Sequence, residues 1–427
     1  MSQTLPLLLV GIGMSYLALT LILSRRKKPV PVGGEEPERF VFVVPALDEA
    51  RVIGSTVDGL LATCGARGRV LVVDDGSSDD TAAIVRARQA TDDRLWLHQR
   101  TLPNARLGKG RALNDAYRLV RDHVLGRGED PTRVVLAVVD ADGRLEPDAL
   151  DHVSPYFRGP RVGAVQLLVR IRNRRRWLAR FQDYEFLVFS ALTQTAREKL
   201  GSVGLGGNGQ FTRLAALMEF GDDPWTDCLT EDLDLGVRLA IGGWENRFCG
   251  ETSVDQQGLT SVRALVRQRT RWAHGHLQCW TLVPAIVRSQ MATTTVLDMC
   301  YYLLSPAMSL LASVLFTGAG MWFVYLLVTE PSVWFSMYGL VFGLTVYLLS
   351  CTPSLFLAVV YWRRSRDMSL LSALILGNLL PAYNYVWYIA MWKAVGRIVT
   401  RHTGWAKTAR VIEPDIARTQ PRPDVAG

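Results

Sequence analysis

Four stretches of this chain are apolar with no charge inside them, and they bracket one long region of mixed pattern. Residues 5–23 (LPLLLVGIGMSYLALTLIL) are long enough to span a bilayer as a helix. Two further runs cover roughly 299–328 and 334–362, and a run interrupted by Pro381 covers about 369–392. Between about 38 and 290 the pattern changes to short β-branched runs that alternate with helical stretches. FVFVVPAL precedes a helix expected over 50–63, and VLVVDDG precedes one over 79–90; VVLAVVDAD and VGAVQLLVRI follow. Continuous apolar runs bounded by turn residues and separated by helices predict an α/β domain with a mainly parallel, doubly wound sheet. Ligands of such sheets bind beyond the carboxyl ends of the strands.

Charge gives the apolar runs a direction. Arg25, Arg26, Lys27 and Lys28 follow the first run instead of preceding it, which is the order of an anchor and not of a cleaved signal peptide. The positive-inside rule places the N-terminus outside and everything after this run in the cytoplasm. Arg363, Arg364 and Arg366, and the basic tail from Lys393 to Arg410, are expected on the same side. Both ends of the C-terminal region are then inside, so an even number of segments crosses. The expectation is that 299–328 and 334–362 cross, and that 369–392, with Gly377, Asn378 and Pro381, is interfacial or re-entrant; a third crossing is the alternative. The organisation read from this is an anchor over 1–28, a cytosolic domain over 29–290, transmembrane and interfacial helices over 291–396, and a basic cytosolic tail over 397–427.

The net charge of +8 over 427 residues could point to nucleic acid, but much of the basic excess flanks apolar runs, where anionic headgroups of membrane lipids are the nearer partner. No nucleic-acid partner is expected. The six cysteines show no CxxC and no metal-ligand spacing, and read as reduced core or membrane thiols.

The candidate chemistry lies at strand ends. Pro45-Ala-Leu-Asp48-Glu49 ends the first run and Asp74-Asp75-Gly-Ser-Ser-Asp79 the second. Adjacent carboxylates repel unless something binds them. Asp140-Ala-Asp142 ends the third; acids at i and i+2 on an extended chain point to one side, so both can face one divalent cation that neutralises a diphosphate. Hard oxygen ligands favour Mg²⁺ or Mn²⁺ over zinc. Gly108-Lys109-Gly110-Arg111 sets glycines around a lysine before a helix, suited to phosphate but without Walker A spacing. Gly204-Leu-Gly-Gly207-Asn208-Gly-Gln210 reads as a loop of close approach. In Thr230-Glu231-Asp232 the threonine can cap a helix whose first turn holds both acids. In Gln268-Arg269-Thr-Arg271-Trp272, Gln268, Arg271 and Trp272 share one helical face; Arg can hold phosphate oxygens and Trp can stack on a sugar ring.

In this order the motifs resemble those of the membrane-integrated family 2 glycosyltransferases, which include cellulose, hyaluronan, chitin and poly-N-acetylglucosamine synthases. The resemblance covers about 40–275 and implies a Rossmann-like GT-A fold with N- and C-terminal transmembrane helices. It implies a nucleotide-diphosphate sugar donor, a UDP-sugar first among them, and metal-dependent inverting transfer of a hexosyl or N-acetylhexosaminyl group. By resemblance Pro45, Asp48, Glu49, Asp74 and Asp75 hold the nucleotide. Asp140 and Asp142 hold metal and diphosphate with Lys109, and Asp232, beside Glu231, is the general base. Gln268, Arg269 and Arg271 bind the donor, while Trp272 faces the acceptor; Gly207, Asn208 and Gln210 are also expected at the acceptor, although their loop departs from the FxGTG pattern of some polysaccharide synthases. Trp405-Ala-Lys407-Thr408-Ala-Arg410 resembles a gating element of some of these synthases, with a plain basic juxtamembrane tail as the alternative reading. The leading expectation is a synthase extending a β-linked polysaccharide, with export through the membrane aided by a partner or a homo-oligomer. Single transfer to a membrane lipid is the alternative, and a non-catalytic nucleotide-sugar sensor or transporter the third.

Overall fold

The β-branched runs pair as their periodicity demands. In the computed structural model, which describes residues 4–401, strands Arg39–Ala46 (β1), Gly68–Asp74 (β2), Leu95–Gln99 (β3), Val134–Val138 (β4), Arg144–Leu145 (β5), Val162–Ile171 (β6), Gln210–Arg213 (β7) and Glu245–Gln256 (β8) form one sheet. Its order is β3-β2-β1-β4-β7-β6-β8-β5. Parallel pairing joins β3, β2, β1 and β4, and joins β6 to β8; β7 and β5 run antiparallel to their neighbours. Ala46 sits opposite Asp74, so the first two acidic motifs leave the same sheet edge side by side.

Helix Thr4–Leu23 (α1) precedes the sheet, and Ile53–Cys64 (α2), Thr81–Gln89 (α3) and Lys109–Gly126 (α4) connect its early strands. Trp177–Tyr184 (α5), a π-helical turn Glu185–Ser190, and Ala191–Leu200 (α6) follow β6, and Glu231–Ile241 (α7) follows β7. Alternation along β1 divides the core between two layers. Phe40, Phe42 and Val44 meet Ile53, Val57 and Leu60 of α2. Val41 and Val43 meet Leu113 and Ala116 of α4 and Leu235 of α7. Each large apolar side chain so buried contributes about 1.5–3 kcal/mol relative to exposure.

Beyond the sheet lie Val262–Gln278 (α8), Thr293–Thr329 (α9), Met337–Ser365 (α10) and Leu370–Val399 (α11). By length and composition, α9 and α11 are long and apolar enough to cross a membrane. Within α1, Gly11–Leu23 forms a shorter apolar stretch. The re-entrant geometry expected for 369–392 does not form: α11 is one unbroken helix through Gly377 and Pro381. Gly377 serves close helix packing. A Cβ there would stand 2.7 Å from the Ala358 Cβ and 2.8 Å from the Ser354 carbonyl oxygen, so the glycine lets α11 press against α10.

The helices and the sheet domain share a core. Tyr184, Leu187 and Leu265 pack with Leu357, Leu376 and Leu380. Polar contacts close the joint: Tyr361 donates to the fully buried Asp183 at 2.8 Å, and Asp367, between α10 and α11, pairs at 2.7 Å with both Arg174 and Arg180. Among the described residues the six cysteines are free thiols, and the Sγ atoms of Cys228 and Cys279 lie 3.7 Å apart.

Candidate active site

The carboxyl ends of β1, β2 and β4 open onto a cavity of about 470 Å³. It begins at Pro45, Glu49 and Asp75, passes Lys109, Asp140, Glu231 and Asp232, and ends at Gln268, Arg271, Trp272, Trp387 and Met391. Acids from separate motifs, Glu49, Asp75, Asp140, Glu231 and Asp232, therefore line one cavity.

At the first end the paired acids divide. Asp75 lines the cavity and accepts from the Arg106 backbone N–H at 2.9 Å, with Arg100 as its ion-pair partner. Burial nevertheless raises its affinity for a proton. Asp74 does not line the cavity: successive side chains of an extended strand point to opposite faces. Its carboxylate instead fixes the turn, accepting from the Ser77 backbone N–H at 3.0 Å and from Gln99 Nε2 at 3.1 Å. Asp48 is likewise turned away from the cavity lining, and receives the Ser78 backbone N–H at 2.7 Å. Of the residues expected at the nucleotide, Pro45, Glu49 and Asp75 line the cavity, while Asp48 and Asp74 tie their two loops together.

Lys109 organises the centre. Gly108 has φ +120°, a conformation that glycine adopts freely, and delivers Lys109 as the first residue of α4. Its ammonium donates to Asp140 Oδ1 at 2.7 Å and to the Gly207 carbonyl at 3.0 Å, and lies 3.8 Å from Glu231 Oε1. Burial alone would depress this ammonium's pKa, but Asp140 and Glu231 outweigh it and leave the pKa raised. Glu231 and Asp232 occupy the first turn of α7. Burial lifts Glu231 to about 7, helped by the neighbouring Asp232 and opposed by Lys109 and Arg271. Burial also raises Asp232, against the pull of Lys109. Two acids beside one cation, with unequal environments, are the arrangement that general acid–base chemistry uses.

Glu231 gives a pH signature. The unfolded chain releases this proton near its ordinary 4.5, whereas the folded protein holds it to about 7. The contribution to stability is complete below about pH 4.5 and is lost as pH rises through about 7. Thermal melts of the ligand-free protein are expected to fall across that window, and Glu231→Gln to make the fall shallower.

The glycine loop borders this centre, and Asn208 also lines the cavity. Asn208 is buried; its Oδ1 accepts the Asp140 backbone N–H at 3.1 Å, so it positions Asp140. Gln210 belongs to β7, is fully buried, and bonds Thr212 at 3.1 Å, away from the cavity lining. Gly207 has φ +67°, and a Cβ on it would lie 2.6 Å from Asp232 Oδ2. Gly207→Ala is expected to displace Asp232, lowering turnover by about 10²-fold, the effect of misplacing a reacting group by about 1 Å. Steady-state kinetics on a variant that still melts cooperatively checks this.

The donor atoms for a metal are hard oxygens, but the expected Asp140–Asp142 pair is split. Asp142 is 1 % exposed, does not line the cavity, and accepts from the Gln257 backbone N–H at 3.0 Å. Only Asp140 of the two faces the cavity. Among the described residues no group of three or more His, Cys, Asp or Glu is gathered to hold an ion. One carboxylate fits Mg²⁺ or Mn²⁺ when substrate phosphates supply the other ligands, and the ammonium already bound to Asp140 shows that this oxygen attracts a cation.

Helix α8 presents Gln268, Arg271 and Trp272 to the cavity, as their i, i+3, i+4 spacing requires. Arg269 is turned about 100° from Gln268 on the helix wheel. It is fully buried, pairs with Glu185 at 2.8 Å and is absent from the cavity lining. The sequence reading missed Glu185, Tyr302, His276, Trp387 and Met391 as lining residues. For Glu185 a signal existed: it is a lone acid inside the aromatic run EFLVF. Trp405, Lys407, Thr408 and Arg410 lie outside the described residues.

Comparison with known proteins identifies what this geometry resembles. A family profile described as "Glycosyltransferase like family 2" matches residues 37–275, more than half of the chain. A β-monoglucosyldiacylglycerol synthase of Trichormus variabilis is 33% identical over 272 residues, covering 62% of this chain and 54% of the relative. A poly-β-1,6-N-acetyl-D-glucosamine synthase of Staphylococcus aureus is 26% identical over 272 residues, covering 62% of this chain and 61% of the relative. The match thus spans little more than half the length of these curated relatives. Among solved structures, a mannosyltransferase from Pyrobaculum calidifontis in complex with GDP-Man and Mn²⁺ shares the fold, with TM-score 0.54, 21% identity, and coverage of 80% of this chain and 97% of that one.

Proposed function

The chain belongs to glycosyltransferase family 2, and from that premise we propose that it moves one hexosyl or N-acetylhexosaminyl group from a nucleotide-diphosphate sugar to a hydroxyl of a membrane lipid. The observation that carries this reading is the continuity of the cavity, which leads from Asp75 through Asp232 to Trp387 and Met391 on the apolar helix α11. A water-soluble acceptor needs no such wall. The 33% identical relative is named for a diacylglycerol product.

Asp232 takes the proton from the acceptor hydroxyl, whose oxygen attacks the anomeric carbon as the nucleoside diphosphate departs from the opposite face, so configuration inverts. No covalent intermediate is needed. Lys109 and Arg271 meet the charge that develops on the departing diphosphate. Asp140 would hold Mg²⁺ or Mn²⁺, and the bound ion would add further neutralisation of the same leaving group. Asn208 and Gly207 keep Asp140, Lys109 and Asp232 in register.

The protein sits in a membrane with its catalytic domain on the cytoplasmic face. Exposed apolar side chains along α9, with Trp322 61% and Val328 75% exposed, support burial in lipid. Lys28 pairs with Glu245 at 3.2 Å, and Asp367 with Arg174 and Arg180, so both basic ends, 25–28 and 363–366, lie on the catalytic side. On this reading α9 and α10 cross, while α11, although long and apolar enough to cross, is held to the catalytic domain by α5 through Asp367 at its start and by α8 further along, and follows the interface.

Polymer extension is the second reading, favoured by the paired indoles of Trp272 and Trp387, 6.3 Å apart, which suit a sugar face. Purified protein supplied with labelled UDP-glucose or UDP-N-acetylglucosamine and a lipid extract separates the two. One sugar on a lipid supports the proposal; a ladder of products overturns it.

A further inference from the structure

Glu185 opens a π-helical turn between α5 and α6, a deformation that re-aims side chains and is frequent at functional sites. Its carboxylate borders the cavity and gathers donors from two other helices. Arg269 Nη2 of α8 donates at 2.8 Å, Tyr383 OH of α11 at 2.9 Å, and Trp387 Nε1 of α11 at 3.1 Å. Arg269 is 0 % exposed, and its guanidinium lies 4.0 Å from the Trp272 ring centre and 4.9 Å from that of Trp387. Its Nε and Nη1 have no hydrogen-bond partner among the described residues. The charge is therefore answered by one carboxylate, by aromatic faces and by the nearby Tyr383 hydroxyl. Burying an ion pair is expensive, and apolar side chains of equal volume commonly stabilise as well or better. What the pair adds is geometry: it fixes both indoles that wall the far end of the cavity.

We propose that Glu185 and Arg269 are a positioning pair that holds Trp272 and Trp387 as the two walls of the acceptor subsite, so that the incoming hydroxyl arrives at Asp232. This rests on the transferase reading above. The donor is handled by other residues, Lys109 and Arg271, so the pair acts on the acceptor alone. An indole face receives a sugar ring or an acyl chain alike; it is Met391 of α11, in the same lining, that favours an acceptor with an apolar body and a free hydroxyl, of the acylglycerol class.

The test uses full-length protein in detergent micelles with Mn²⁺, UDP-glucose and dioleoylglycerol. Glu185→Gln and Arg269→Lys are expected to raise the KM for dioleoylglycerol at least tenfold and to leave that for UDP-glucose within twofold. Tyr383→Phe removes one donor to Glu185 while keeping the ring, and is expected to raise the acceptor KM about threefold. The double variant Glu185→Met with Arg269→Met is expected to recover the melting temperature but not the acceptor KM. A purely structural pair would recover both, and that result overturns the proposal. So do acceptor and donor KM values that rise together, or neither rising. If the wild-type protein does not glucosylate dioleoylglycerol, the acceptor or donor of the proposed function is wrong, and the pair is judged by near-ultraviolet circular dichroism. The difference spectrum produced by Trp272→Phe should shrink at least twofold in the Arg269→Lys background; an unchanged difference spectrum overturns the inference.

Discussion

Asp232→Asn is expected to lower sugar transfer by about 10³-fold, within the range that general-base catalysis supplies, while affinity for the nucleoside diphosphate stays within threefold. The asparagine is nearly isosteric and can keep the bond that Asp232 Oδ1 accepts from the Leu233 backbone N–H at 2.7 Å, so the first turn of α7 is undisturbed. It cannot take a proton. It also removes one negative charge beside Lys109 and Asp140, which favours an anionic donor if anything. Turnover and nucleotide binding measured on one preparation check both halves. Unchanged turnover with intact binding would remove Asp232 from the mechanism; nucleotide binding without turnover in the wild-type protein would instead revive the reading of a non-catalytic nucleotide-sugar-binding protein.

Lys109→Met should act almost as strongly but through a different signature. The ammonium is bonded to Asp140 and lies near Glu231, with Asp232 also within its field. Methionine fills the space without the charge, leaving three acids to repel one another at the centre of the cavity. Each then holds its proton more tightly. The acidic limb of the pH–rate profile should move upward by about one unit, the low end of what a lost opposite charge produces. Loss of the cation facing the diphosphate should lower kcat/KM by about 10²-fold, comparable to removing one preorganised donor to developing charge. A full pH series on wild type and variant is the measurement; a weakened enzyme with an unmoved acidic limb would place Lys109 on the donor but outside the proton balance of Glu231 and Asp232.

Local chemistry was readable where the chain itself enforces it. VGAVQLLVRI is β6 from end to end, because ten residues of that composition bounded by turns have few other ways to be buried. The helical spacing of Gln268, Arg271 and Trp272 placed them on one face, and the same arithmetic turns Arg269 away. Motif resemblance alone had kept it at the donor. The adjacent acids Asp74 and Asp75 hid a similar division, since a strand sends neighbours to opposite sides. Gln210 looked like the close of a glycine loop but is the first residue of β7. What the sequence did not disclose is tertiary. Glu185 meets Arg269 across 84 residues and Trp387 across 202, and no local pattern announces such partners. Pro381 read as an interruption, yet neighbouring helices carry α11 past it unbroken.

The shared core of Tyr184, Leu187 and Leu265 with Leu357, Leu376 and Leu380 has a practical consequence for anyone handling the gene. A stop codon near position 290, chosen to yield a convenient soluble enzyme, would leave that greasy flank bare to water and unseat the helix that carries Trp272. Recombination between relatives meets the same obstacle. A sheet domain borrowed from one parent must bring along the apolar helices that complete its underside, so the two are inherited together or not at all.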